Sequence, residues 1–318
     1  MDRAYLLSGT PYRSQVGAQS WFLSKISPLL GEEYGKYSFI KLFNTFLLSL
    51  VFAVVFLWMR HAFGLIPSAI GIIFLTLSTG VNIFSGSLYW SIWLFILPLA
   101  TVCVLDLCKV KNSWYIAVLL FPVFLFKFLS GFEFITTVVF AALTPHAWDF
   151  LVNKNGAALK RIFAVGFASI GAFVTSIWVY DTLFWKDFNS SGMDFIFGRS
   201  GYWSISHLYE LGISPWLQLG KIFIMNFMDV YGYGLPLVGY FILAIAVIFS
   251  IRRIITRADL LFIVFLLVGS VSWLIIQPGH LLSHPRYATL MFFIPFGLFM
   301  PGFVSSLFLR RRTGKDHV

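Results

Sequence analysis

The residues able to do chemistry are few, and they sit in short polar islands. QPGHLLSHPRY at 277–287 brings together His280, His284 and Arg286. Pro278, Gly279 and Pro285 make this stretch a shaped loop rather than a continuous helix. The two histidines have the spacing of a helical metal pair, but Pro285 and the lack of a nearby third ligand weigh against one, and no metal ligand is assigned. Arg286 can hold a phosphate through paired charge-assisted hydrogen bonds; the competing role is a snorkelling contact to bulk lipid phosphate. In SGFEF, Glu133 puts a carboxylate beside an apolar run, where it needs a partner or a task. It can accept from sugar hydroxyls, pair with an arginine or act as a base, with Lys127 near enough in sequence to be its snorkelling companion.

Three further islands share this character. In YRSQVGAQ at 12–19, Gln15 and Gln19 are four residues apart and can share a helix face. Their amides suit sugar hydroxyls, or simply a polar surface helix, and Gly17 permits a close approach. In FSGSLYW at 84–90, Tyr89 and Trp90 are either interface anchors or stacking platforms for a sugar ring or lipid head. Asp2 is the lone acid at the start of the chain, with Glu32 and Glu33 as the other early carboxylates. A general base must lie within hydrogen-bond reach of the proton it takes. There is no GxGxxG, P-loop, HExxH or GxSxG motif, which weighs against a cytosolic nucleotide-using site.

The elements that must position these groups are apolar. Hydrophobic residues make up 59% of the chain and charged residues 11%, with a mean hydropathy of +0.85. A soluble domain carries about a quarter charged residues, and one core could not hide this much apolar surface. The reading is an all-α, polytopic membrane protein of about nine transmembrane helices, within a range of about eight to ten. Spans are expected near 42–59, 63–80, 88–108, 113–129, 131–144, 160–180, 231–251, 259–277 and 287–309. The chain divides into a non-cytoplasmic segment at 1–41 with a short interfacial helix, a first bundle at 42–180, a non-cytoplasmic connection at 181–230, three last spans at 231–309 and a basic tail at 310–318. Trp185, Asp187, Asp194, Arg199, Tyr202, Trp203, His207 and Glu210 in the long connection suit carbohydrate contacts or an ordinary amphipathic cap.

Charge sets the orientation. The net charge of +10 comes from cations spread thinly or placed at the ends of apolar runs. No basic groove or stripe is visible, so a nucleic-acid partner is rejected. Cys103 and Cys108 imply neither a disulfide framework nor a zinc site. Arg60, Lys109, Lys111, Lys154, Lys160, Arg161, Arg252, Arg253, Arg257 and Arg310–Arg312 all fall on one side if the short 131–144 piece crosses the membrane. The positive-inside rule makes that side, and the C-terminus, cytoplasmic. The other face then collects Gln15, Tyr89, His280, His284 and Arg286. It also starts the chain outside without a targeting segment, and one further helix before Met1 is expected to be missing.

In order, YRSQVGAQ, SGSLYW, SGFEFIT and HPRY resemble bacterial polytopic proteins related to the GT-C glycosyltransferases, the lipid-phosphosugar-dependent class that includes protein mannosyltransferases. The likeness covers most of the chain and lies in layout and soft motifs. It implies a many-helix fold of the inner membrane and a large first outer loop. The implied partners are the bilayer and a sugar on polyprenyl phosphate. A divalent cation is needed by some members of that class and not by others. The catalytic acid of the class follows the first span, and Asp2 matches that position; Arg286 matches a donor-phosphate contact. The span that should precede the loop is absent here, which is the main departure. The implied activity is sugar transfer to an acceptor on the non-cytoplasmic face. A flippase for a lipid-linked saccharide, or a non-catalytic membrane protein, is the alternative.

Overall fold

A computed structural model describes residues 17–26, 33–76, 78, 81–82, 85, 91–194, 214, 217, 220–221, 224, 255–277, 290 and 293–313. The expected span at 231–251, most of the 181–230 connection, and Asp2, Gln15, Tyr89, His280, His284 and Arg286 lie outside the described residues. Among the described residues every regular element is helical: α1 (Ala18–Ile26), α2 (Glu33–Phe63), α3 (Leu65–Thr76), α4 (Ile92–Leu107), α5 (Ser113–Ser130), α6 (Ile135–Leu151), α7 (Ala158–Phe188), α8 (Arg257–Ile276) and α9 (Leu298–Thr313). A π-turn at Phe293–Gly297 leads into α9.

Local chemistry sets several of these boundaries. The Asn112 side chain accepts from the Trp114 backbone N–H at 2.9 Å and caps α5. Thr256 and Asp259 form a reciprocal capping box at the start of α8. Gly64, at φ +92°, ends α2 in a conformation that suits glycine and lets α3 turn back at once. Among the described residues the expected spans lie close to these helices, but α2 begins at Glu33 rather than 42, α6 runs to Leu151 rather than 144, and α7 outruns its expected end. α7 continues to Phe188, so the first residues of the expected 181–230 connection are helical.

Among the described residues three helical stretches are long and apolar enough to cross a membrane: Ser38–Phe63, Ser113–Ser130 and Ala158–Lys186. Their outer faces are apolar too. Along α7, Phe163, Phe167, Ile170, Val174 and Trp178 recur at helical spacing and are exposed. A contiguous apolar exterior of this kind is matched to hydrocarbon rather than water. The short α6 has the opposite character, with Val138, Ala141, Ala142, Thr144, Pro145, His146 and Trp148 all buried.

Ring contacts give each helix its direction. Phe134 before α6 meets Phe95 at the start of α4 and Trp273 near the end of α8, while Trp148 near the end of α6 meets Phe63 and Phe262. α6 therefore runs the length of the bundle, parallel to α2 and α4 and antiparallel to α8. This places Arg60, Lys109, Lys111, Lys154, Lys160, Arg161 and Arg257 at one end, called here the basic end.

The α2–α4 pair is clamped twice by indoles. Trp93 Nε1 donates to Asn44 Oδ1 at 2.7 Å, and Trp58 Nε1 donates to Asp106 Oδ2 at 2.9 Å. The two bonds are separated by nearly the same number of residues on each helix, roughly 20 Å of helical rise, so the parallel pair is held in register at both ends. α9 closes the bundle. Phe303 meets Phe63, Trp148 and Phe262 at ring-centroid distances of 6.0, 5.7 and 5.3 Å, and its backbone passes α3 where Gly302 and Gly71 face each other.

A Cβ at Gly302 would meet Met59 Cε at 2.7 Å and the Pro67 carbonyl at 3.1 Å, whereas one at Gly166 would meet nothing within 4 Å. Gly302→Ala is expected to lower stability by about 1–3 kcal/mol. Gly166→Ala should leave it unchanged or slightly raised. Thermal unfolding of the detergent-solubilised chain checks both, and equal effects would remove close packing at Gly302 as the cause.

Candidate functional site

The polar groups of the interior gather at the two ends of the bundle, and the two gatherings differ in kind. At the basic end, Arg161 in the first turn of α7 reaches two carboxylates. Its Nη1 donates to Asp106 Oδ1 of α4 at 3.1 Å and its Nη2 to Asp149 Oδ2 of α6 at 2.8 Å. Asp106 also accepts from Trp58 of α2, and Asp149 from Asn153 Nδ2 at 2.9 Å. The planar guanidinium fits this double role because its N–H groups fork in fixed directions. Each carboxylate oxygen in the cluster has a donor, so the arrangement is a satisfied strut and leaves no group free to act on a substrate.

His146 lies nearby on α6, fully buried, with neither ring nitrogen hydrogen-bonded among the described residues. It is in electrostatic reach of Arg161 and Asp149.

At the opposite end, Lys127 in the last turn of α5 is 1% exposed. Its Nζ donates to the Gly131 carbonyl at 2.8 Å and to the Glu133 carbonyl at 3.4 Å, and stands 4.3 Å from the centre of the Phe95 ring. Carbonyl dipoles and a π face stabilise the ammonium in place of a counter-ion; among the described residues no carboxylate lies within 4 Å of it. The turn that supplies those carbonyls ends at Phe134, whose φ of +58° is unusual for a residue with a side chain. That conformation costs about 1 kcal/mol, and the buried contacts of Phe134 with Phe95 and Trp273 hold it. Asn44, which accepts from Trp93, donates to the Ser85 carbonyl at 3.3 Å, and Ser272 donates to Thr136 Oγ1 at 2.9 Å.

Gln19, Trp185 and Asp194 from the sequence-designated islands are described, Gln19 buried in α1 and the other two exposed at or just beyond the end of α7. Glu133 is described as well. It stands half-buried in the α5–α6 turn, its backbone carbonyl committed to Lys127. For the others, the bordering described residues are informative. Gly17, Ser85, Ser91 and Gln277 flank the islands that carry Gln15, Tyr89, His280, His284 and Arg286, and all four belong to element ends on the side opposite the basic end. Among the described residues no group of three His, Cys, Asp or Glu side chains is set to hold a metal ion.

Sequence reasoning passed over Asp106, Asp149 and Asn44. Asp106 had a readable signal: a carboxylate within TVCVLDLC, an apolar run where an acid needs a partner. Arg161 was read only as a topology marker.

No known family, no curated protein and no solved structure matches the chain.

Removing one member of a buried ion cluster leaves the others uncompensated, so Arg161→Ala is expected to destabilise the bundle by about 3–5 kcal/mol. Arg161→Met combined with Asp106→Asn and Asp149→Asn should recover most of that loss. Reversible unfolding in mixed micelles measures both, and a single Ala variant as stable as the parent chain would show that the strut carries no load.

Proposed function

We propose that the chain is a GT-C-like inner-membrane glycosyltransferase of about nine spans, with its C-terminus cytoplasmic. It moves a sugar from a polyprenyl-phosphate donor to an acceptor on the non-cytoplasmic face. The observation that carries this reading is the contrast between the two ends. The polar groups of the basic end are consumed in a strut. The opposite end holds a buried ammonium, a half-buried carboxylate at Glu133 and the borders of every island with sugar- or phosphate-binding chemistry.

In the proposed step the acceptor hydroxyl attacks the anomeric carbon while the bond from that carbon to the donor phosphate oxygen breaks. Asp2 takes the hydroxyl proton. Arg286 stabilises the charge that grows on the departing polyprenyl phosphate. Glu133, Gln15, Tyr89, His280 and His284 orient sugar and phosphate, and Lys127 holds the Gly131–Glu133 turn that presents Glu133. Misplacing an orienting group by a small distance costs rate more than binding.

The full chain in nanodiscs, offered a panel of polyprenyl-phosphate sugars, is expected to release polyprenyl phosphate and a glycosylated acceptor. Arg286→Ala should abolish donor binding, and Glu133→Gln should lower turnover about tenfold with the unfolding midpoint retained. No turnover on any donor defeats the enzyme reading, and saccharide movement across the bilayer without product assigns a flippase instead.

A further inference from the structure

At the basic end the fold sorts charge by sign. The acids there are turned inward. Asp106 accepts from Trp58 and Arg161, Asp149 from Arg161 and Asn153, and Asp259 from the Thr256 hydroxyl at 2.8 Å and its backbone N–H at 3.0 Å. The cations other than Arg161 are turned outward. Arg60, Lys109, Lys111, Lys154, Lys160 and Arg257 are all exposed, and among the described residues none of them forms an ion pair. Among the described residues, six positive charges thus crown an end whose negative charges are spent inside it.

The surroundings of those cations narrow what can neutralise them. Within one helical turn of each of four stands an exposed apolar side chain on the same helix or at its start. Leu57 lies beside Arg60, Trp114 and Tyr115 beside Lys111, Phe163 beside Lys160, and Leu260 and Leu261 beside Arg257. Trp114 is 71% exposed and Phe163 57%. In each case the apolar group lies on the bundle side of the cation and the cation lies at the rim. A soluble acidic protein or a nucleic acid would neutralise the charges and leave the aromatic and aliphatic band in water. A lipid layer matches both, with phosphates at the rim and acyl chains one turn deeper.

We propose that the basic end is a binding surface for anionic phospholipids, on which headgroup phosphates are the counter-ions of Arg60, Lys109, Lys111, Lys154, Lys160 and Arg257. The surface selects anionic over zwitterionic lipid in the adjoining leaflet. It is separate from the proposed transfer site, which lies at the other end, and does not depend on that reading.

The full chain is reconstituted in nanodiscs of equimolar phosphatidylglycerol and phosphatidylcholine, and the lipids retained on gentle release are counted by native mass spectrometry. Phosphatidylglycerol is expected to be enriched about fivefold or more, and less so as salt is raised. The combined Lys109→Gln, Lys111→Gln, Lys154→Gln, Lys160→Gln variant should lose most of the enrichment with its unfolding midpoint unchanged, since these side chains make no ion pair within the described fold. The control Lys25→Gln, Lys41→Gln, Lys186→Gln, which removes charge at the opposite end, should retain it. Equal uptake of the two lipids, or enrichment that survives the first variant or vanishes with the control, overturns the proposal. So does tighter binding of polyglutamate or an oligonucleotide than of phosphatidylglycerol vesicles in competition.

Discussion

A single guanidinium, held between two carboxylates, joins α4, α6 and α7, and an indole bond from α2 completes the junction. Charges so placed are costly to desolvate, and the arrangement repays that cost only when its geometry is held closely. Most of the rest of the bundle is apolar and offers little directional information, because hydrocarbon side chains pack in many registers. The Arg161 cluster supplies that direction. With the basic end fixed, the Trp93–Asn44 bond at the other end of α2 and α4 can form only if the two helices keep a common register.

The ends of the bundle solve the burial problem differently. At the basic end, opposite charges are brought together and every carboxylate oxygen of the cluster finds a donor. At the other end, one ammonium is held by carbonyls and an aromatic face, in a turn whose Phe134 backbone is strained. Strain of this sort persists where surrounding packing over-determines it, and it collects at functional positions.

Much of the fold was legible in the residue order. Long apolar runs locate α2, α5 and α7 because a bilayer-length helix leaves a bilayer-length signature. The positions of Lys109, Lys154 and Arg161 argued for a crossing at 131–144 despite its short apolar stretch; the structure has there a helix, α6, that runs from Ile135 to Leu151 and is buried along much of its length. The reach of α7 to Phe188 was not legible, since Trp185 and Asp187 read as part of the long connection although the helix simply continues into more polar surroundings. The acid–base strut was hidden for another reason. Asp106 is far in sequence from Asp149 and Arg161, and only the parallel course of α4 and α6 brings it to them. Of the site, Glu133 was visible as a carboxylate out of place, whereas the role of Lys127 as the anchor of its turn depends on a backbone reversal that residue types do not announce.

The aromatic seam around Phe303 has a bearing on how the protein is made. Phe63, Trp148 and Phe262 belong to helices synthesised earlier, and all three meet a ring on α9. Until α9 is made, the rings of Phe63, Trp148 and Phe262 lack the Phe303 ring that all three meet, and Gly71 of α3 lacks the Gly302 backbone it faces. Of the described helices, α9 is therefore the one that enters a slot its predecessors have already shaped. Damage to that slot would show first as degradation of newly made chains, before any loss in those that had already closed.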